Sequence, residues 1–321
     1  MIRTALTELL GIRYPVVQAA MGYVSGPRLA AAVSDAGGLG LIASATMSLA
    51  ELEKAIEETA GWTAGPFGVN LRADAPDAAE RVRLIVARRV PVASFAQAPK
   101  PELIATLKDA GVVAIASIGA RRHAEKAAGW GIDAVIATGG EGGGHVGAVP
   151  TSLLVPQVAA AVDIPVIAAG GFFDGRGLVA ALAWGAAGIA MGTRFLLTSD
   201  SPVPDAVKGI YLAAGLNGTV VTTRVDGMPL RVLRTTAVDR LEGEGHGGSG
   251  LGQELTADDA PMLLRAAMVD GRTDLGLMSS GQVTGLIDDL PSCAELIESI
   301  MAEAGATLRR LEGVRNARRV R

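Results

Sequence analysis

The chain has 321 residues, of which 49% are hydrophobic and only 3% aromatic, so its core has to be built from Ala, Val, Ile and Leu. That composition suits α/β proteins with parallel strands covered on both faces, and the length fits one α/β barrel of ~250 residues plus an appendage. A formal net charge of −4 argues against a nucleic-acid partner, and the single cysteine, Cys293, leaves neither an internal disulfide nor a zinc cluster.

Apolar strand-like runs alternate with amphipathic helical stretches along the first two hundred residues. Val16 to Met21 is the first strand, followed by a helix near Pro27 to Ala36. Gly38 to Ala43 is the second, and Ser48 is a good N-cap for the helix behind it. Phe67 to Leu71 precedes a helix from Asp77 to Arg89, and Val92 to Ala96 precedes one opened by Pro99-Lys100-Pro101. Val112 to Ile118, Ala134 to Thr138, Pro165 to Ala169 and Gly188 to Gly192 complete eight strands. Asp35-Ala36-Gly37 before the second strand echoes Asp109-Ala110-Gly111 before the fifth, a glycine-capped helix end turned into a strand. The pattern predicts a closed (β/α)8 barrel of the TIM type. An open doubly wound sheet is the competing architecture, but no strand is followed by GxGxxG opening a helix.

Beyond the eighth strand the pattern changes. Ser199 to Pro204 is turn-rich, Asp205 to Ala214 reads as a helix, and Thr219 to Arg224 as a short strand leading to a turn at Asp226-Gly227-Met228-Pro229. Leu241 to Gly252 has the composition of a flexible linker. Ala260 to Val269 and Glu295 to Ala304 are helical, and the basic tail from Arg309 reads as a solvated helix end. The expected division is a barrel of residues 1–200 with helices from 260–321, and a small, mainly helical cap with its linker over 201–259. Cys293, at the start of the terminal helix, reads as a packing residue. The N-terminus has no secretory signal and no apolar run reaches transmembrane length, which predicts a cytoplasmic protein without a membrane partner.

The chemistry gathers at the carboxyl ends of the strands, where barrels build their sites. The sixth strand runs into Gly139, Gly140, Gly142, Gly143, Gly144 and Gly147, with Glu141 and His145 as the titratable side chains. Such a loop lays bare backbone against a ligand, and one imidazole supplies proton transfer near neutral pH. The seventh strand ends in Gly170-Gly171 and the eighth in Ala190-Met191-Gly192-Thr193, the two positions that favour phosphate. Gln18 to Gly22 forms a bare turn able to flank a planar ring, and Asn70 offers an amide to a heterocycle edge. A phosphate grip, a flat-ring site and one imidazole together predict a small-molecule enzyme using FMN. A barrel that only binds a phosphorylated ligand, with His145 a bystander, is the non-enzymatic alternative.

These residues carry a resemblance over nearly the whole chain. Tyr14-Pro15-Val16-Val17-Gln18 with Met21-Gly22, Gly37-Gly38-Leu39-Gly40, Phe67-Gly68-Val69-Asn70, Glu141-Gly142-Gly143-Gly144-His145-Val146-Gly147, Ile164 to Gly171 and Met191-Gly192-Thr193-Arg194-Phe195 resemble the nitronate monooxygenase (2-nitropropane dioxygenase) family of FMN-dependent barrel enzymes. The resemblance implies that Ala20, Met21 and Gly22 back the flavin, with Asn70, Gly143 and Gly144 beside it. Gly170, Gly171, Ala190, Met191, Gly192 and Thr193 would hold its phosphate, Gln282 would lie near it, and His145 matches the functional histidine. Thr138 stands where many members have a glutamine or glutamate. The triple glycine before His145, Asn70 to Asp74 and Phe172 to Gly177 are most similar to an actinobacterial branch of flavin reductases acting on an indene-carboxyl-CoA thioester of steroid breakdown. Those relatives carry a longer basic, helical segment where this chain has Leu241 to Gly252.

Two chemistries follow from the resemblance. In one, hydride moves between flavin and an unsaturated CoA thioester, NAD(P)H serves as electron donor, and Arg72, Arg194 and Arg224 meet the CoA phosphates. In the other, an alkyl nitronate is oxidised with O2 and no nicotinamide is needed. Neither requires a metal, and both allow a homo-oligomer.

Overall fold

The computed structural model describes residues 2–242, 260–274 and 276–317. Its first half alternates strand and helix: α1 (Ala5–Leu10), β1 (Val16–Gln18), α2 (Pro27–Asp35), β2 (Gly40–Ala43), α3 (Leu49–Trp62), β3 (Phe67–Arg72), α4 (Ala78–Ala87), β4 (Val92–Ala96), α5 (Pro101–Asp109), β5 (Val113–Ile118) and α6 (Arg121–Gly129). The second half continues with β6 (Ala134–Thr138), β7 (Gly144–His145), α7 (Thr151–Ala159), β8 (Val166–Ala169), α8 (Gly175–Ala183), β9 (Gly188–Met191) and α9 (Thr193–Leu196). Then come α10 (Asp205–Ala213), β10 (Thr219–Thr222), β11 (Leu230–Leu233), α11 (Thr236–Glu242), α12 (Ala260–Met268) and α13 (Cys293–Ala317). Local signals set several boundaries. Ser48 and Glu51 form a reciprocal capping box at α3, and Pro101 opens α5 at a position where no N–H is needed. The strand expected to reach Met21 stops at Gln18, because the chain turns there: Met21 N–H donates to Ser25 Oγ at 2.9 Å and Val24 N–H to Met21 O at 3.1 Å.

Eight strands form one parallel sheet in the order β1-β9-β8-β6-β5-β4-β3-β2. A parallel bridge between Val17 and Leu39, with Gln18 N–H donating to Leu39 O at 2.9 Å, joins its two ends. The sheet is therefore a closed barrel, which leaves no edge to protect.

Alternation along the strands sorts side chains into two layers. Val16, Val69, Phe95, Ala116, Val135 and Ala168 face outward into the layer shared with the helices, where α13 packs against α8 and α2. Val17, Leu39, Leu41, Val92, Ile115, Ile136 and Ile167 fill the interior. Leu6, Leu10 and Ile12 join that interior cluster, so α1, an element absent from the sequence reading, plugs the amino end of the barrel. Thr4 ties the plug down by donating from Oγ1 to Ala187 O at 2.6 Å.

The strand expected at Thr219 is β10, which with β11 and with β7 from the loop after β6 forms a three-stranded antiparallel sheet, so the cap is not mainly helical. Val225, Leu230, Val232, Val238 and Leu277 form its own small core, against which Leu263 and Leu264 pack. Ala267 and Met268, at the other end of α12, join the main core, so α12 bridges cap and barrel rather than belonging to the barrel alone. Residues 243–259, and with them most of the expected linker, lie outside the described residues, as do 318–321 of the basic tail. Among the described residues no helix is long and apolar enough to cross a membrane, and no group of three His, Cys, Asp or Glu side chains is placed to hold a metal.

Two predictions follow from this packing. Leu6→Ala empties part of the plug and should cost about 2–5 kcal/mol in urea unfolding; an unchanged midpoint would contradict the plug. Burial pushes the Cys293 thiol from 9.0 up to about 12, so its share of stability is complete below pH 9.0 and declines as pH rises towards 12. Alkylation of Cys293 at about pH 8.5 should accordingly track unfolding and not precede it.

Candidate active site

The carboxyl ends of the strands open into a mouth lined by small and polar side chains. Asn70 lies between outward-facing Val69 and Leu71, Ser94 between Ala93 and Phe95, and Thr138 beyond Ala137, which turns all three inward. Ala20, Ala169 and Ala190 belong to the same interior layer. Bulky aliphatics at the bottom thus give way to alanine, serine, threonine and asparagine at the top, leaving width for a flat group. Asn70 Nδ2 donates to Ser94 Oγ at 3.3 Å, and Ser44 Oγ donates to Asn70 O at 2.7 Å, so this corner is held from both sides. The turn after β1 is pinned by buried Gln18, whose Nε2 donates to Ser25 Oγ at 2.8 Å and whose Oε1 accepts from Leu41 N–H at 3.1 Å. Met21 comes to rest beside Gly192: a side chain on that glycine would meet Met21 Sδ at 3.5 Å.

At the two turns expected to hold a phosphate, the backbone has free amides. Gly170 and Gly171 both have φ in the left-handed region, +98° and +84°. Among the described residues, the N–H groups of Gly171 and Gly192 donate to no protein acceptor. No long, uncapped helix start among the described residues reinforces these amides. The helix after β9 is the four-residue α9, too short for a substantial dipole. The longer α8 is already capped by carboxylates, Asp174 Oδ1 accepting from Gly177 N–H and Glu303 Oε2 from Gly175 N–H, both at 2.8 Å. An anion here would meet loop amides and not a helix dipole. Met191 contributes only backbone, because its side chain belongs to the outer core and its carbonyl accepts from Ala19 N–H at 2.9 Å.

The glycine-rich loop after β6 folds back over the mouth on the same end. Glu141 Oε2 accepts from Thr151 N–H at 2.9 Å and Thr151 Oγ1 at 2.7 Å, which ties the loop to the start of α7. Gly142 and Glu141 abut Gly170 and Gly171 respectively. Gly143 presses on the backbone of residues 280–281; a Cβ there would stand 2.6 Å from Gly281 N, which explains why no larger residue is used. Gly281 N–H donates to Thr193 Oγ1 at 2.9 Å and Gln282 N–H to Glu141 O at 3.0 Å. Residues 280–282 therefore join the glycine loop to the phosphate turn. Tyr211, fully buried, holds this segment by donating from its hydroxyl to Ser279 O at 2.7 Å, and burial pushes its phenol pKa up.

Gly144 and His145 form β7, pairing with Arg231 and Leu230 of β11. The Arg231 guanidinium reaches back to Gly140 O with two donors at 2.9 and 3.1 Å. Its pKa is pulled down by burial and supported by the Glu141 charge. His145 Nε2 lies 2.7 Å from Asp226 Oδ2. Arg231 and Tyr211 carry no motif in the sequence and Asp226 carries only a turn signal; their neighbours in space mark them.

The three arginines separate. Arg72 extends from the end of β3 and pairs with Asp74 at 2.7 Å; that hydrogen bond raises its pKa, with further charge support from Asp226. Arg224 is exposed on the turn that carries Asp226. Arg194, expected to meet substrate, is 3% exposed and points away from the mouth, donating to Asp289 Oδ1 at 2.6 Å and to Leu197 O at 2.7 Å. It is a structural residue.

The chain's relatives share its family and its fold. The sequence profile of the nitronate monooxygenase family matches residues 3–83 and 78–303. A Mycobacterium tuberculosis protein named (3aS,4S,5R,7aS)-5-hydroxy-7a-methyl-1-oxo-octahydro-1H-indene-4-carboxyl-CoA dehydrogenase is 58% identical over 342 residues, covering 94% of this chain and 96% of that one. That alignment is longer than the present chain of 321 residues, so the relative carries residues without a counterpart here. Among solved structures, FabK from Thermotoga maritima superimposes with a TM-score of 0.92 at 39% identity, covering 98% of this chain and 100% of that one. Nitroalkane oxidase from Streptomyces ansochromogenes does so with a TM-score of 0.81 at 31% identity, covering 95% and 100%.

Arg194→Met should lower stability by about 1–3 kcal/mol through lost charged hydrogen bonds, while the folded enzyme keeps its KM. A raised KM with unchanged stability would return Arg194 to the substrate site.

Proposed function

The chain belongs to the nitronate monooxygenase family of oxidoreductases, and from that premise we propose that it binds FMN and moves hydride between that flavin and a CoA thioester of a fused-ring carboxylic acid. The observation that carries the substrate class is the 58% identity, over 94% of the chain, to a protein named as an indene-carboxyl-CoA dehydrogenase. When bound, FMN supplies a hydride acceptor or donor. The residues fit it. Gly171, Gly192 and Thr193 would present backbone and hydroxyl groups to its phosphoryl group, and the small residues Ala20, Gly22, Ala169 and Ala190, with Met21 beside Gly192, suit a flat ring. Asn70, Thr138, Gly143, Gly144, Gly170 and Gln282 would border the ring.

His145 does the proton work. In the direction of desaturation it takes the proton from the carbon next to the thioester carbonyl, as hydride leaves the neighbouring carbon; in reduction it returns that proton. A positioned acid–base group of this kind contributes about 10²–10⁴ in rate. Arg72 and Arg224, both exposed, would meet the CoA phosphates, and a nicotinamide of the NAD(P)H type would serve as the flavin's electron partner.

The test is spectroscopic. Purified protein should show flavin absorption bands, and anaerobic addition of a saturated fused-ring acyl-CoA should bleach them. Bleaching by an alkyl nitronate and not by the thioester would transfer the assignment to nitronate oxidation, and colourless protein that takes up no FMN would remove both. His145→Ala should retain the flavin and slow the bleaching by about 10²–10⁴. Undiminished bleaching in that variant would take the imidazole out of the reaction.

A further inference from the structure

We propose that Asp226, on the cap, is the positioning residue of the site: it holds His145 with the proton on Nε2, so that Nδ1 is the nitrogen left for substrate. This rests on the proposed role of His145, but the arrangement itself can be tested without turnover.

The two residues are 81 positions apart and come from different parts of the fold, His145 from the loop after β6 and Asp226 from the turn between β10 and β11. Both ends of the contact are fixed by backbone. On one side, Leu230 pairs with His145 in the β11–β7 ladder and Val146 N–H donates to Pro229 O at 3.1 Å. On the other, Gly227 N–H donates to Thr223 O at 3.0 Å and Gly227 has a φ of +78°, closing a turn that places Asp226. Asp226 Oδ1 accepts from Met228 N–H at 3.0 Å, which leaves Oδ2 for the imidazole at 2.7 Å.

An isolated ion pair on a protein surface contributes little, and His145 is itself half exposed. The carboxylate is not: its side chain is 14% exposed against 49% for the imidazole. A restrained acceptor facing an exposed ring orients that ring. An ionised carboxylate only accepts, so the neutral imidazole must donate from Nε2 and present Nδ1 as its lone pair. This is the division of labour of a base and its orienting acid, built here across barrel and cap. Because the acid comes from the cap, the histidine is correctly set only when β11 is docked on the loop.

The geometry makes a sharp forecast for Asp226→Asn. Met228 N–H already claims Oδ1, so the amide oxygen stays there and the amide NH2 faces His145. Nε2 must then accept, and the proton moves to Nδ1. In flavin-loaded protein labelled with 15N-histidine, at a pH where the ring is neutral, wild type should show a protonated Nε2 and a bare Nδ1. Asp226→Asn should exchange those two signals, and Asp226→Glu, which restores a carboxylate, should keep the wild-type pattern. The chain's three histidines allow assignment by loss of the His145 signals in His145→Gln.

Kinetics supplies the second arm. With the thioester as reductant, Asp226→Asn should lower the flavin-reduction rate about 100-fold with KM changed by less than about threefold, a smaller loss than the ~10⁴ found where a fully buried acid is replaced. Asp226→Glu should recover most of that rate. Identical His145 ring signals in wild type and Asp226→Asn would overturn the proposal. So would an undiminished rate in Asp226→Asn while His145→Ala is slow. If His145→Ala is itself fully active, the functional reading of the histidine fails, and the 15N spectra still decide the positioning.

Discussion

One short piece of backbone pairing organises the functional end of this molecule. Gly144 and His145 leave the barrel as part of the loop after β6 and pair with Leu230 and Arg231 of the cap. The placement of the glycine loop's far end follows from that two-residue ladder. It carries the imidazole away from the floor of the barrel and brings the Asp226 turn alongside it. It also points Arg231 back at Gly140 O, so the loop is held at its start as well as at its end. A loop so rich in glycine has a large conformational entropy to lose on ordering, and such ladders and charged hydrogen bonds offset it.

The second organising feature is the segment from Met278 to Gln282. It begins as an extra edge on the cap sheet, with Leu233 N–H donating to Met278 O at 2.8 Å, and ends inside the barrel mouth, where Gly281 N–H reaches Thr193. It crosses over Gly143 at a distance that admits no side chain. Cap, glycine loop and phosphate turn are thereby fastened to one strip of backbone, itself anchored by the hydroxyl of buried Tyr211. Displacement of the cap would disturb the histidine and the phosphate turn together.

Much of this was legible beforehand. A strand covered on both faces has to be a flush apolar run, so β4 and β6 stand where their composition puts them, and a helix begins where serine and glutamate stand three apart at Ser48 and Glu51. The glycine pair after β8 was visible for the same reason, since a backbone with positive φ selects glycine at the site itself. α1 was less legible because Ala5 to Leu10 is too short to show a period, and its role as a plug exists only once a barrel has an open end. Arg194 was misplaced because a residue next to a phosphate turn looks functional in one dimension. The periodicity of α9 instead turns it outward, onto Asp289.

The sequence alone determined the barrel and its strands, because alternation, capping and glycine preference act within a few residues. The tertiary structure decided which acid meets His145, which helix starts are free to bind an anion, and what keeps Gly143 bare. Those outcomes turn on groups tens of residues apart competing for the same donor or the same space. Asp226 against His145, and Glu303 against the start of α8, are contacts that no local pattern encodes.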